Sequence, residues 1–176
     1  MIRDQRRYDQ SSVSAVLRKV VEAIVPLNVD VATAGAGNVG SGEDVLKTYT
    51  VPANTLGANY AKQLELEAWG VTGANADSKT IKLYFGAVVV AITASTANAK
   101  NWRLRLKVIY SAAGAQVVLG ESQVDATCAL TVTTGTEDET GTVVAKVTGQ
   151  NNDNATNDSV VCKGFTVTQI EQKNAS

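Results

Sequence analysis

A chain of 176 residues with 44% apolar but only 5% aromatic content and a formal net charge of -1 is long enough for one domain with a sizeable core, since folding at this length buries roughly 70% of the unfolded surface. The absence of histidine excludes Ser-His-Asp and Cys-His nucleophiles, His-ligated zinc and histidine pH switching. The small net charge supplies no overall field for nucleic acid or anionic lipid, and two cysteines, Cys128 and Cys162, are too few for a disulfide scaffold.

The start, MIRDQRRYDQ, is charged where a secretory signal needs an apolar run, and no stretch approaches the roughly 20 apolar residues of a membrane helix. A soluble protein made in a cytoplasm is expected. Val13, Val16, Leu17, Val20 and Ile24 recur three and four apart, which predicts a short amphipathic helix over about residues 12–25, capped by Ser11 or Ser12 and ended by Pro26. Such a helix is marginal alone, so its apolar face must pack on the main domain or on another chain.

From Ala32 to Asp44 the chain is Gly, Ala, Ser, Asn and one Thr with a single Val before the acidic Glu43 and Asp44, a composition that reads as a connector. Gly35, Gly37 and Gly40 fall at the G-x-G-x-x-G spacing that can cradle a dinucleotide, just after the apolar-alternating stretch Leu27 to Val31. That fingerprint needs a helix next, because the helix N-terminus holds the phosphates. Here SGEDVLKTYTVPANT follows, without a helical apolar stripe. No nucleotide or other cofactor is therefore expected.

Beyond the connector the apolar period becomes two. Leu64, Leu66 and Ala68 alternate with Glu65, Glu67 and Trp69; Ile81, Leu83 and Phe85 with Lys82 and Tyr84; Trp102, Leu104, Leu106 and Val108 with Arg103, Arg105 and Lys107. Further strand-like runs are Val45 to Val51, Val88 to Thr93, Gln116 to Ser122, Cys128 to Thr134, Val143 to Thr148 and Val160 to Ile170, the last with Gly164 as a bulge. About nine strands separated by polar breaks predict an all-β fold, an antiparallel β-sandwich of the jelly-roll kind. The expected organisation is an N-terminal segment over 1–44 and a sandwich over 45–176.

Several clusters invite chemistry. Glu137, Asp138 and Glu139, or Asp153 and Asp158, have the ligand type for a hard cation, but without the spacing of an EF-hand; solvated loop tips are the plainer reading. Glu121 and Asp125 are carboxylates a glycosidase could use, with nothing to select a pair. Arg103, Arg105 and Lys107, joined by Lys79 and Lys82 beside Tyr84 or Trp69, could hold nucleic acid or a sulfated glycan. Glu65 and Glu67 favour cross-strand charge pairing instead. Both cysteines are expected as small buried apolar groups, and Trp102, in phase with Leu104, as core.

The segments LELEAWGVTGANADSKTIKLYFGAVVV, NWRLRLKVIYSAAGAQ and VTGQNNDNATNDSVVCKGFTVTQI resemble small β-sandwich proteins of tailed bacteriophages, over about Val45 to Ile170. The shared features are a Trp-Gly strand, an Asn/Ala turn, a K-x-x-K-L-Y-F-G-like strand and a late V-T-G-Q strand. The resemblance implies a non-enzymatic virion component, a capsid decoration, head-fibre or tail-fibre protein, commonly homotrimeric, located in the virion and bringing no catalytic residues. Its partners would be copies of itself and the major capsid protein or another virion protein, with a host surface glycan as a further candidate and with no nucleic acid and no membrane. Arg3, Arg6, Arg7, Val13, Val16, Leu17, Val20 and Ile24 are then the candidate attachment or trimer-contact residues; folding back onto the sandwich is the alternative. A carbohydrate- or host-receptor-binding adhesin is the competing function, and a carboxylate hydrolase a third.

Overall fold

The computed structural model describes residues 24–36, 42–57, 63–153 and 158–170. Eleven strands cover them: β1 (Ile24–Asp30), β2 (Ala34–Ala36), β3 (Asp44–Val51), β4 (Gln63–Thr72), β5 (Lys79–Phe85), β6 (Val88–Ser95), β7 (Asn101–Ala112), β8 (Ala115–Val124), β9 (Thr127–Gly135), β10 (Val143–Asn151) and β11 (Val160–Ile170). They form two antiparallel sheets. The larger has the order β1-β11-β4-β7-β8-β9, with β2 also on β11, and the smaller β3-β10-β5-β6.

The period-two pattern places the core. Leu64, Leu66 and Ala68 of β4, Leu104, Leu106 and Val108 of β7 and Phe165 and Val167 of β11 are buried against Ile81, Leu83 and Phe85 of β5, Val90 and Ile92 of β6 and Val147 of β10. The residues between them, such as Glu65, Glu67, Arg103 and Arg105, face outward and are half-exposed. Strands β4, β5 and β7 thus have one dry and one wet face, which fixes register, because a one-residue slip would exchange them.

Tryptophan and glycine meet twice in the larger sheet. Gly70 lies opposite Trp102 on the inner face, and Gly164 opposite Trp69 on the outer face. A Cβ built at Gly70 would overlap the Val161 carbonyl oxygen and the Trp102 ring, and one at Gly164 would overlap the Trp69 ring. The missing side chains are the space the indoles fill, a cross-strand filling of glycine sites by aromatic rings. The expected irregularity near Gly164 is present as a register shift between Cys162 and Gly164.

The nine expected strands are all present, and two more lie upstream. Of the helix expected over about 12–25, residues up to 23 lie outside the described region, and its last two, Ile24 and Val25, are strand. Pro26 ends no helix here: it sits in edge strand β1 beside a register shift between Pro26 and Asn28, where a missing N–H is tolerated. The expected connector likewise contains β2, paired with β11 at Val160–Cys162. β1 and β2 together run along one edge of β11 as an interrupted strand.

Candidate functional site

The outer face of the larger sheet carries the basic stripe. Antiparallel register sets Glu67, Arg105 and Glu121 side by side across β4, β7 and β8. Arg105 lies 3.9 Å from Glu67 and 3.8 Å from Glu121; Arg103 is 3.8 Å from Glu67 and hydrogen-bonds Glu121. Lys107 stands opposite Glu65. The guanidinium groups are thereby held between carboxylates, which suits register more than capture of a polyanion. Of the lysines expected to extend the stripe, Lys82 is in the smaller sheet, bonded to Glu43, and Lys79 is buried. A depression of about 260 Å³ bordered by Glu65, Arg105, Lys107, Leu119 and Glu121 marks the concave part of this face.

At one end of the sandwich the acidic loop ties strands together. The Glu137 carboxylate accepts from the Ala87 N–H at 2.6 Å and closes the β5–β6 turn at Gly86, whose φ is +55°. Glu139 accepts from the Gly114 N–H at 3.0 Å and from Gln116 Nε2 at 2.7 Å, and Asp138 accepts from the Thr140 N–H and hydroxyl. Burial pushes the Glu139 carboxyl up, but these donors outweigh it and hold the group below its ordinary range. The buried Gln116 also donates to the Glu137 carbonyl and accepts from the Glu137 N–H. Loop residues that the sequence offers as cation ligands are thus engaged with backbone and amide donors.

The opposite end is organised by a cation of the chain itself. Lys79 is fully buried, and its ammonium donates to the carbonyl oxygens of Asp77 at 2.8 Å, Asn75 at 2.9 Å and Ala97 at 3.4 Å. Burial lowers its pKa, against the opposing charges of Asp77 and Asp153. Asp153 accepts from the Ser78 N–H, and Asn151 donates to Asp77 and Ser159. Asp125, offered with Glu121 as a carboxylate pair, instead binds Lys100 at 2.9 Å in the β8–β9 turn, while Glu121 belongs to the ladder.

The remaining sequence candidates are dispersed. Gly35 is in β2 facing Asp158, Gly37 and Gly40 lie outside the described residues, and Asp44–Val51 is a strand where a phosphate-binding helix would be needed. Trp102 is 2% exposed and Trp69 covers Gly164, so both indoles that could stack on a sugar are engaged by glycine. Cys162 is buried, its thiol pushed up to about 11 by desolvation. Cys128 is exposed, contrary to expectation, because β9 is an edge strand. Among the attachment candidates only Ile24 is described, at 59% exposure on β1; Arg3, Arg6, Arg7, Val13, Val16, Leu17 and Val20 lie outside the described residues.

One surface was not singled out from the sequence. Strand β9, TCALTVTTG, carries no charge and is exposed at every residue but Gly135. Leu130 and Val132 are 67% and 71% exposed and adjoin Leu119 and Val117 of β8, also exposed, to form an apolar strip on the outer face. Among the described residues no strand pairs with the far edge of β9 or of β6, the corresponding edge of the smaller sheet. The opposite flank differs. There β1 has Pro26 and a register shift, and Lys47 of β3, 6% exposed, reaches Asp30 of β1 at 2.6 Å to link the sheets.

Comparison with protein-family models and with curated proteins gives no match for this chain.

Proposed function

We propose that the chain is a non-enzymatic structural protein of a tailed-bacteriophage particle, a jelly-roll subunit that decorates the capsid or builds a head or tail fibre. The strand order supports the jelly-roll part. β1-β11-β4-β7 facing β3-β10-β5-β6 makes two interleaved four-stranded sheets, the eight-strand arrangement of that fold, to which β8 and β9 add a hairpin. The Trp-Gly, K-L-Y-F-G and V-T-G-Q strands support the virion assignment by their resemblance.

The observation that carries an assembly role is the contrast between the framework and β9. Carboxylates and cations of the ladder and of both loop ends hold the sandwich together, whereas β9 presents an uncharged edge and an apolar strip. Contact surfaces are expected of a subunit, and exposed apolar strips with unpaired edges are where β-proteins meet other chains. The N-terminal segment is the proposed attachment or trimer contact, with the major capsid protein or another virion protein as partner.

Mass spectrometry of purified particles of the encoding phage tests this. The chain should be present in stoichiometric copies, and a variant lacking residues 1–23 should fold but fail to join particles. That deletion spares β1, which a cut at residue 30 would strip from β11. Absence from particles while the chain is abundant in the infected lysate would refute the assignment.

A further inference from the structure

We propose that β9 is a homotypic contact edge: two copies of the chain pair their β9 strands antiparallel about a two-fold axis at Thr131, joining their larger sheets into one. This deepens the reading of β9 as a contact edge and does not depend on the virion assignment.

The pattern of β9 is compatible with itself. Centred on Thr131, the nine residues 127–135 all pair. Leu130 lies opposite the second copy's Val132, Ala129 opposite its Thr133, and Cys128 opposite its Thr134. Each pair joins residues of the same face, as a continuous sheet requires. Leu130 and Val132 of the two copies then form one apolar cluster continuous with Leu119 on either side. No charge on β9 opposes another, and antiparallel pairing supplies partners for its outer N–H and C=O groups.

The other edges are poorer occupants. β1 has Pro26 and a register shift, and β3 carries Asp44 and the buried Lys47. Edges so marked resist strand addition. β6 is uncharged, but it lies over β8, and the inner face of β9 extends past it, leaving a cleft of about 290 Å³ between Ala87–Val89 and Thr131–Glu137. β9 is therefore the outermost strand of this flank, the position from which an isologous contact can close. Nine paired residues make an interface smaller than the roughly 1,000 Å² of a stable complex, so association is weak and concentration-dependent.

The test uses the full chain with Cys128→Ser, so that only introduced thiols report on β9. At Thr131→Cys the two copies' Cα atoms would be about 4.5–5.5 Å apart, within the range a disulfide spans; at Thr133→Cys they would be about 14 Å apart. Under mild oxidation Thr131→Cys should give covalent dimer at least about tenfold faster than Thr133→Cys. In the background chain, sedimentation should show mass rising from monomer towards dimer with concentration, and Val132→Lys, at a position already 71% exposed, should abolish the rise. Equal cross-linking at the two positions, or monomer at every concentration, overturns the pairing. So does a fixed trimer without Thr131 cross-linking, which would assign subunit contact to another surface. A dimer absent from particles would sink the virion assignment and leave the pairing standing; a particle-bound monomer would do the reverse.

Discussion

Replacing Gly70 by alanine should be among the most damaging single-methyl changes in this sandwich. The added Cβ would overlap both the Val161 carbonyl oxygen and the Trp102 ring. Neither neighbour has room: Val161 is fixed in the β11–β4 pairing, and Trp102 is 2% exposed. Overpacking a closed core costs about 1–3 kcal/mol, and displacing a ladder carbonyl weakens hydrogen bonds of about 0.5–1.5 kcal/mol each. The lower chain entropy of unfolded alanine offsets about 0.4–1 kcal/mol. A net loss of about 2 kcal/mol follows, or a fall in Tm of roughly 4–8 °C at this chain length. Gly164→Ala meets first the Trp69 ring on the half-exposed outer face, which can swing towards solvent, so about 1 kcal/mol is expected. Urea unfolding followed by tryptophan fluorescence measures both. If Gly70→Ala were within 1 kcal/mol of the parent, or Gly164→Ala cost more, the account of the paired Trp-Gly sites would fail.

Other consequences concern the ends of the sandwich. Lys79→Met should destabilise by about 3 kcal/mol, because the carbonyls of Asn75, Asp77 and Ala97 lose their ammonium donor in a dry site; a urea midpoint unchanged from the parent would show that the cation is dispensable. Gln116→Leu should cost about 2–3 kcal/mol by stripping partners from Glu137 and Glu139, and hydrogen exchange of the Glu137 amide should rise with it; an unprotected amide in the parent would contradict this. For Asp30, the hydrogen bond from Lys47 lowers the carboxyl pKa; for Glu43, burial raises it, but donors from Lys82, Tyr84 and Thr148 outweigh that and bring it below its ordinary value. With Glu139, these groups have folded values below their unfolded ones, so they favour the folded state above about pH 4 and lose that contribution as pH falls through the folded values. Urea stability should accordingly be level near neutrality and drop in acid, and a chain as stable at pH 2.5 as at pH 6 would exclude the effect.

The strands legible in the sequence are those with one dry face. Leu64-Glu65-Leu66-Glu67 and Leu104-Arg105-Leu106-Lys107 announce both their secondary structure and the side that is buried; their charges favour cross-strand pairing, but that β4 and β7 are the neighbours is seen only in the sheet order. β1 was hidden because Val20 and Ile24 continue a four-residue spacing, and because a proline can stop a helix or occupy a sheet edge, a choice that depends on β11, more than a hundred residues away. β2, Ala-Gly-Ala, has no apolar alternation to detect. The candidate surface was half legible: Cys128 to Thr134 reads as a strand, but threonine and valine serve equally in a buried strand and an exposed edge. Only the order of the sheet places β9 outermost. The available signal was a nine-residue strand with no charge on either face.

The proline and register shift of β1 also bear on what this chain must avoid. A protein whose described residues are mostly strand risks growing end to end into fibrils. Growth of that kind needs two receptive ends. Here one flank carries Pro26, a broken register and a salt bridge between Asp30 and Lys47, so a strand added at β9 gains no onward template at the far side. Under the proposed β9 pairing, addition ends after one step, and the fold keeps a receptive edge without becoming a polymer.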